Sequence, residues 1–195
     1  MIQKMRSSFV FVLCLVFVRL DSAPAVPKPL KTCKAGLAKV VITPEQPIWM
    51  SGYASRNKPS EGKVHDLYAK ALALEDPAGG RMVVVTTDLV GLSRTVAEEV
   101  ALGVKKNSGL ARERLLLTSS HTHTGPVIRD SLITMYDLNP EQAAVVKQYS
   151  DKLVEQLIEL VGQALEDLSA AQISYGTGQA DFAVNRRVAS PTGFR

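Results

Sequence analysis

The sequence predicts an α/β fold, a mixed sheet with covering helices. Three observations carry that expectation. Apolar β-compatible runs and amphipathic stretches alternate in the order strands, helix, strand, helix, strand. Turn and cap signals separate them, Asp76-Pro77-Ala78-Gly79-Gly80 being the sharpest. The apolar run Leu115-Leu116-Leu117 leads into a polar loop that holds two of the chain's three histidines.

Met1 to about Ala25 reads as a secretory signal. Lys4 and Arg6 precede an apolar run over residues 9–18, and Ala23-Pro24-Ala25 offers a small-x-small cleavage site. The run is too short to span a membrane as a mature helix, and Arg19 and Asp21 follow it at once. The expected location is secreted or periplasmic, after cleavage. Residues 26–34, with Pro27 and Pro29, read as an extended linker. Residues 35–43 read as the first strand, stopped by Pro44. Residues 45–63 form a loop rich in Pro, Gly and Ser. In it, Trp49 is expected to pack into the core, and Gly52 to allow close approach of the backbone to a ligand.

Residues 66–75 read as the second strand, with helix left open by propensity. After the turn, residues 81–87 make the third strand and close a hairpin. Val83, Val84 and Val85 in succession imply cover on both faces. Asp88 at the strand end is placed to cap the next turn or orient a histidine, roles ranked ahead of direct metal ligation. Ser93 caps a helix over residues 94–106, whose apolar stripe is Val96, Val100 and Val104. Lys105 and Lys106 suit its C-terminal dipole, and Asn107-Ser108-Gly109 ends it. Asn139 caps a second helix, with Pro140 in its first position and Glu141 in its first turn. Tyr149, Leu153, Leu157, Leu160, Ala164 and Leu168 keep helical spacing to about Ser169. Residues 172–181 read as a last strand, weakened by Gly176 and Gly178.

At 195 residues the chain is long enough for one domain with a core. Its 46% hydrophobic and 22% charged residues are ordinary for a globular protein. The formal charge is +4, and loss of the leader (Lys4, Arg6 and Arg19 against Asp21) leaves +2. That charge, with no clustered basic stripe, argues against nucleic acid as a partner. Cys14 lies in the leader, so Cys33 alone stays in the mature chain, either as a buried thiol or with a partner beyond Arg195.

The histidine loop carries the chemistry. While a strand stays extended, residues i and i+2 point to one side, so His121 and His123 are expected to face one cavity. That cavity would sit at the carboxyl end of the Leu115 strand, where α/β folds place ligands. Imidazole is the commonest metal ligand and a general base. Thr118, Ser119, Ser120, Thr122 and Thr124 supply hydroxyls expected to orient the rings. From spacing alone, two histidines in an ordinary polar loop is an equal reading. His65, beside Asp66, is expected to be structural rather than a ligand.

The longer string Thr118-Ser119-Ser120-His121-Thr122-His123-Thr124-Gly125-Pro126 resembles the zinc-site segment of the neutral (alkaline, non-lysosomal) ceramidase family. Residues 35–44, Gly52-Tyr53-Ala54, residues 64–72 and residues 83–92 resemble the same family in the same order. Val184-Asn185-Arg186-Arg187 resembles its Asn-Arg segment. The resemblance implies hydrolysis of the ceramide (N-acylsphingosine) amide to sphingosine and a fatty acid, with Zn2+ as cofactor. It implies His121 as a zinc ligand and His123 as an orienting or proton-handling group beside metal and substrate. Arg186 would hold a substrate hydroxyl or a developing oxyanion; without the resemblance it reads as a surface or ion-pair arginine. A lipid-like amide substrate implies peripheral membrane contact for access.

The family's catalytic domain is much longer than this chain. The resemblance implies a second zinc histidine, a glutamate and a tyrosine ligand, and a serine nucleophile, all downstream of Arg195. Residues 35–195 are therefore expected to be the N-terminal part of a catalytic domain, as a fragment or as a split or decayed gene product. Two other readings compete. One is a different metal hydrolase: amidohydrolase barrels also begin with His-x-His at a strand end, but on their first strand, whereas about three strands precede it here. The other is a secreted α/β module that binds no metal.

Overall fold

In this computed structural model residues 33–185 and 187–194 are described; the segment expected to be a signal, most of the expected linker, Arg186 and Arg195 lie outside them. The order of elements is β1 (Cys33–Val41), β2 (Tyr68–Glu75), β3 (Arg81–Thr87), α1 (Arg94–Ser108), β4 (Leu115–Ser119), α2 (Pro140–Glu166) and β5 (Ser169–Ala171). A two-stranded ribbon, β6 (Ala189–Ser190) with β7 (Gly193–Phe194), follows. The main sheet runs β4-β3-β2-β1-β5. Its pairs are antiparallel except β3 with β4, which are parallel because α1 carries the chain back across the sheet. This is the expected α/β architecture with a mixed sheet.

Local chemistry sets each junction. The Asp76 carboxylate accepts from the amides of Ala78 and Gly80, at 2.8 and 2.9 Å, and Gly79 takes the left-handed φ of 85° that the turn between β2 and β3 requires. Ser93 Oγ accepts from the Val96 amide at the start of α1. Gly109, at φ 68°, closes α1 through its amide to the Lys105 carbonyl. Asn139 and Gln142 form a reciprocal capping box that starts α2.

Both helices lie on one face of the sheet. Ala69, Ala71 and Ala73 of β2 and Val83 and Val85 of β3 meet Val96, Val100 and Val104 of α1 and Leu153, Leu157, Leu160 and Val161 of α2 in one buried core. Burying each leucine of α2 stabilises the fold by about 1.5–3 kcal/mol. The alanines of β2 and two glycines let the layers come close. A Cβ on Gly36 would sit 2.1 Å from the Ala164 carbonyl oxygen, and one on Gly103 would sit 2.2 Å from Ile158 Cδ1. A second cluster of Ile48, Trp49, Val127, Tyr136 and Val146 lies beneath the 45–63 loop, where Trp49 was expected to pack.

Several expectations change. β1 begins at Cys33, so Cys33 and Lys34 belong to the sheet and not to a linker, and it ends at Val41. Cys33 is a buried free thiol. Residues 172–181 form no strand; the last strand of the sheet is the three-residue β5, paired to the edge of β1. Beyond it the backbone has no neighbouring strand, and Gly176 and Gly178 offer no side chain to hold one. Val83 and Val85 are fully buried by the helices, but Val84 points to the other face and is only half-buried.

Candidate metal-binding site

β3 and β4 are parallel, so their carboxyl ends lie side by side. The chain leaves β3 through Asp88, Leu89 and Val90, and leaves β4 through Ser120 and His121. The Ser120 amide donates to the Thr87 carbonyl and extends the pairing by one step. His121 then adopts φ 58°, a left-handed conformation that few residues with a side chain take. There its Nδ1 lies 2.8 Å from the Val90 carbonyl oxygen. A carbonyl only accepts, so Nδ1 carries the proton and the lone pair of the neutral ring sits on Nε2. A backbone carbonyl on one imidazole nitrogen is the usual device for presenting the other to a metal.

His123 comes to the same place, with its Nε2 3.4 Å from His121 Nε2 and the ring centroids 5.1 Å apart. The two histidines do converge, but not because the strand stays extended. β4 ends at Ser119, and the turn of His121 into left-handed backbone rotates the loop so that the rings meet nearly edge to face. With His121 Nε2 unprotonated, His123 Nε2–H is the donor between the rings.

The 45–63 loop holds His123 in place. The Ser51 amide donates to the Gly125 carbonyl and the Val127 amide to the Trp49 carbonyl, zipping the two loops together. Tyr136 Oη accepts from the Gly52 amide and shares a hydrogen bond with Ser51 Oγ. Gly52, at φ 103°, lies against the His123 ring, and a Cβ there would be 2.4 Å from His123 Cγ. The close approach expected of Gly52 is to this imidazole. Tyr53 packs edge-on to His123 at 4.8 Å. Arg56 donates from Nη2 to the His123 carbonyl at 2.7 Å, with its guanidinium 5.3 Å over the Tyr53 ring.

Other candidates fall into structural roles. Asp88 Oδ2 accepts from the Tyr68 amide, tying the end of β3 to the start of β2. His65 Nδ1 lies 3.0 Å from the Asp66 carbonyl oxygen at the surface. The hydroxyls around the histidines do not orient the rings: Thr118 donates to the Val85 carbonyl, Ser119 pairs with Thr87, and Thr122 pairs with Thr124. These short side chains satisfy nearby backbone and each other first. Arg186 lies outside the described residues. No group of three or more His, Cys, Asp or Glu converges among the described residues. The pair is chemically suited to a metal at His121 with a second imidazole beside it.

The family model for the neutral/alkaline non-lysosomal ceramidase, N-terminal, matches residues 34–193. The chain belongs to this family. Neutral ceramidase of Pseudomonas aeruginosa is 29% identical over 178 residues, which are 89% of this chain and 26% of that protein. The solved neutral ceramidase from Pseudomonas aeruginosa superposes with a TM-score of 0.58 at 25% identity, over 71% of this chain and 22% of that one. A solved ceramidase complexed with C2 gives the same values. The chain thus spans about a quarter of the length of the curated relative it matches. Apart from Cys33 at the start of β1, the sheet, its helices and the histidine loop fall inside the matched segment.

Sequence reasoning found the two histidines and missed what holds them. Val90 acts through its carbonyl, which no side-chain pattern reports. Tyr136 is a lone aromatic 13 residues beyond His123. Arg56 sits in a loop without periodicity.

Proposed function

We propose that this chain forms one wall of a zinc-dependent amide hydrolase that acts on ceramide. The observation that carries the reading is the His121–His123 pair, with the His121 tautomer set by Val90, in a chain of the neutral ceramidase family. His121 holds the metal through Nε2. When bound, zinc polarises the amide carbonyl and acidifies a group beside it. His123, whose Nε2 lies 3.4 Å from His121 Nε2, moves a proton to or from the reacting amide beside the metal. The 45–63 loop keeps that ring from turning away. Arg186 neutralises the charge that develops on the amide oxygen or holds a substrate hydroxyl. Substrate reaches the site from a lipid surface, and the protein is delivered outside the cytoplasm after cleavage near Ala25.

Hydrolysis of N-acylsphingosine by the protein from its native source tests the reading, with zinc content measured in parallel. His121→Ala should lose both zinc and hydrolysis. His123→Asn should keep zinc and slow hydrolysis by about 10²–10⁴-fold, the usual contribution of a proton-transfer group. Full activity in the His121 variant would reject the proposal.

A further inference from the structure

His121 and His123 are held by different means. The Val90 carbonyl ties down the His121 ring through Nδ1. His123 and its neighbours Thr122 and Thr124 belong to no strand or helix. Among the described residues no backbone–backbone hydrogen bond reaches the His123 amide or carbonyl. The one bond to its main chain comes from a side chain 67 residues away, the Nη2 of Arg56 donating to the His123 carbonyl. The same guanidinium serves the ring. It lies over Tyr53, and Tyr53 meets the His123 imidazole edge-on, the two rings inclined at 79°. One planar cation thus touches the backbone of His123 directly and its ring through Tyr53.

Residues 48–60 deliver that cation. The Ser60 amide donates to the Ile48 carbonyl at 2.8 Å, and the Ile48 amide to Ser60 Oγ at 3.1 Å, so the loop is closed at its base against the buried Ile48. Loops of this length whose ends meet are compact and pack on their own side chains. Within it the Arg56 amide donates to the Tyr53 carbonyl at 3.4 Å, which folds the two side chains together. Charge pairing does not explain the arginine. Arg56 forms no ion pair among the described residues, and nearby Glu61 is taken by Lys58. Its Nε is buried without a hydrogen bond, which costs stability.

We infer that Arg56 is a positioning residue for His123, fixing the direction in which that imidazole meets the reacting amide. Both of its contacts use the shape of the guanidinium, which stacks on an aromatic face while donating from its own plane. An ammonium in its place supplies the hydrogen bond and loses the stack. In this role Arg56 acts through His123 and not on the substrate. The kinetic part of the inference rests on the proton-transfer role proposed for His123; the placement of the ring is tested apart from it.

Arg56→Gln and Arg56→Lys in the whole protein, labelled at histidine nitrogen, test it by ring chemical shifts and by steady-state hydrolysis of N-acylsphingosine. The His123 resonances are expected to move in both variants, while His65 and the Nδ1–H of His121 stay and zinc content is unchanged. In Arg56→Gln kcat is expected to fall about 10–100-fold, the scale of a reacting group misplaced by about an ångström, with KM unchanged. Arg56→Lys is expected to recover part of that loss. Thermal unfolding verifies that each variant folds, and if Arg56→Gln does not, Arg56→Lys carries the same comparison. His123 resonances that do not move in the folded variants overturn the inference, whatever the substrate. So does a rise in KM at constant kcat, which puts Arg56 on the substrate itself. Moved His123 resonances in a protein that leaves N-acylsphingosine intact support the positioning and reject the ceramide reading instead.

Discussion

Gly52 and Tyr136 decide the position of His123. Gly52 combines a left-handed φ with contact against the imidazole, so Gly52→Ala adds both strain and a clash. It should cost upwards of ~1 kcal/mol, the least expected where Ala replaces Gly at positive φ. Thermal unfolding measures that cost, and nitrogen chemical shifts of His123 report the displaced ring. Tyr136→Phe removes the hydroxyl that meets both the Gly52 amide and the buried Ser51 Oγ. It should destabilise by about 1–3 kcal/mol, because buried polar groups are left without a partner. Denaturant unfolding is the check. At this scale the sequence reported residue types and missed their partners. His121 and His123 stand out as types suited to metals and proton transfer. The contacts that fix them come from a backbone carbonyl, a missing Cβ and a phenol in three separate segments, and only the fold brings these together.

α2 is the element on which the sheet depends. Leu153, Leu157 and Leu160 are fully buried, and Gly36 lets its last turn sit on β1. Leu157→Ala should cost about 2–5 kcal/mol by the transfer and cavity terms of a large-to-small core change. Asn139→Ala, which breaks the capping box, should cost about 1 kcal/mol. Calorimetric midpoints should separate the two. Helices and the β2–β3 hairpin were legible because each has local signals: Ser93 and Asn139 caps, a valine or leucine stripe, an Asp-Pro-Ala-Gly-Gly turn. The strand expected at residues 172–181 failed because strand formation needs a partner edge, which no local pattern supplies. The ends of β1 moved for the same reason, since pairing with β2 and β5 sets them.

For the molecule as a whole, acid should act first at the sheet rim and the loop entry. Glu75 is buried between Lys34 Nζ at 2.7 Å and Arg81 Nε at 2.6 Å, and those two groups hold its carboxyl below the ordinary value of 4.5. Lys63 and Thr43 lower Asp66 in the same way. A carboxylate lowered by folding stabilises the native state above its ordinary pKa and loses that contribution as pH falls through the lowered one. The melting temperature should therefore drop as pH falls below about 4.5. Glu75→Gln should be less stable at neutral pH and show a shallower drop.

The α/β class and mixed sheet were legible at this scale, from the order of elements. The face that the helices cover was not. Alternation is visible along each strand, but whether both sides are covered depends on where the helices pack. The account's central claim is that His121 binds a metal through Nε2, with His123 beside it as the proton-handling group. Zinc titration followed by ring-nitrogen chemical shifts tests it most directly. The account predicts that His121 Nε2 moves on adding zinc while its Nδ1–H stays bonded to Val90, that His123 responds with it, and that His65 does not. Equal responses at all three histidines, or none at His121, would contradict it.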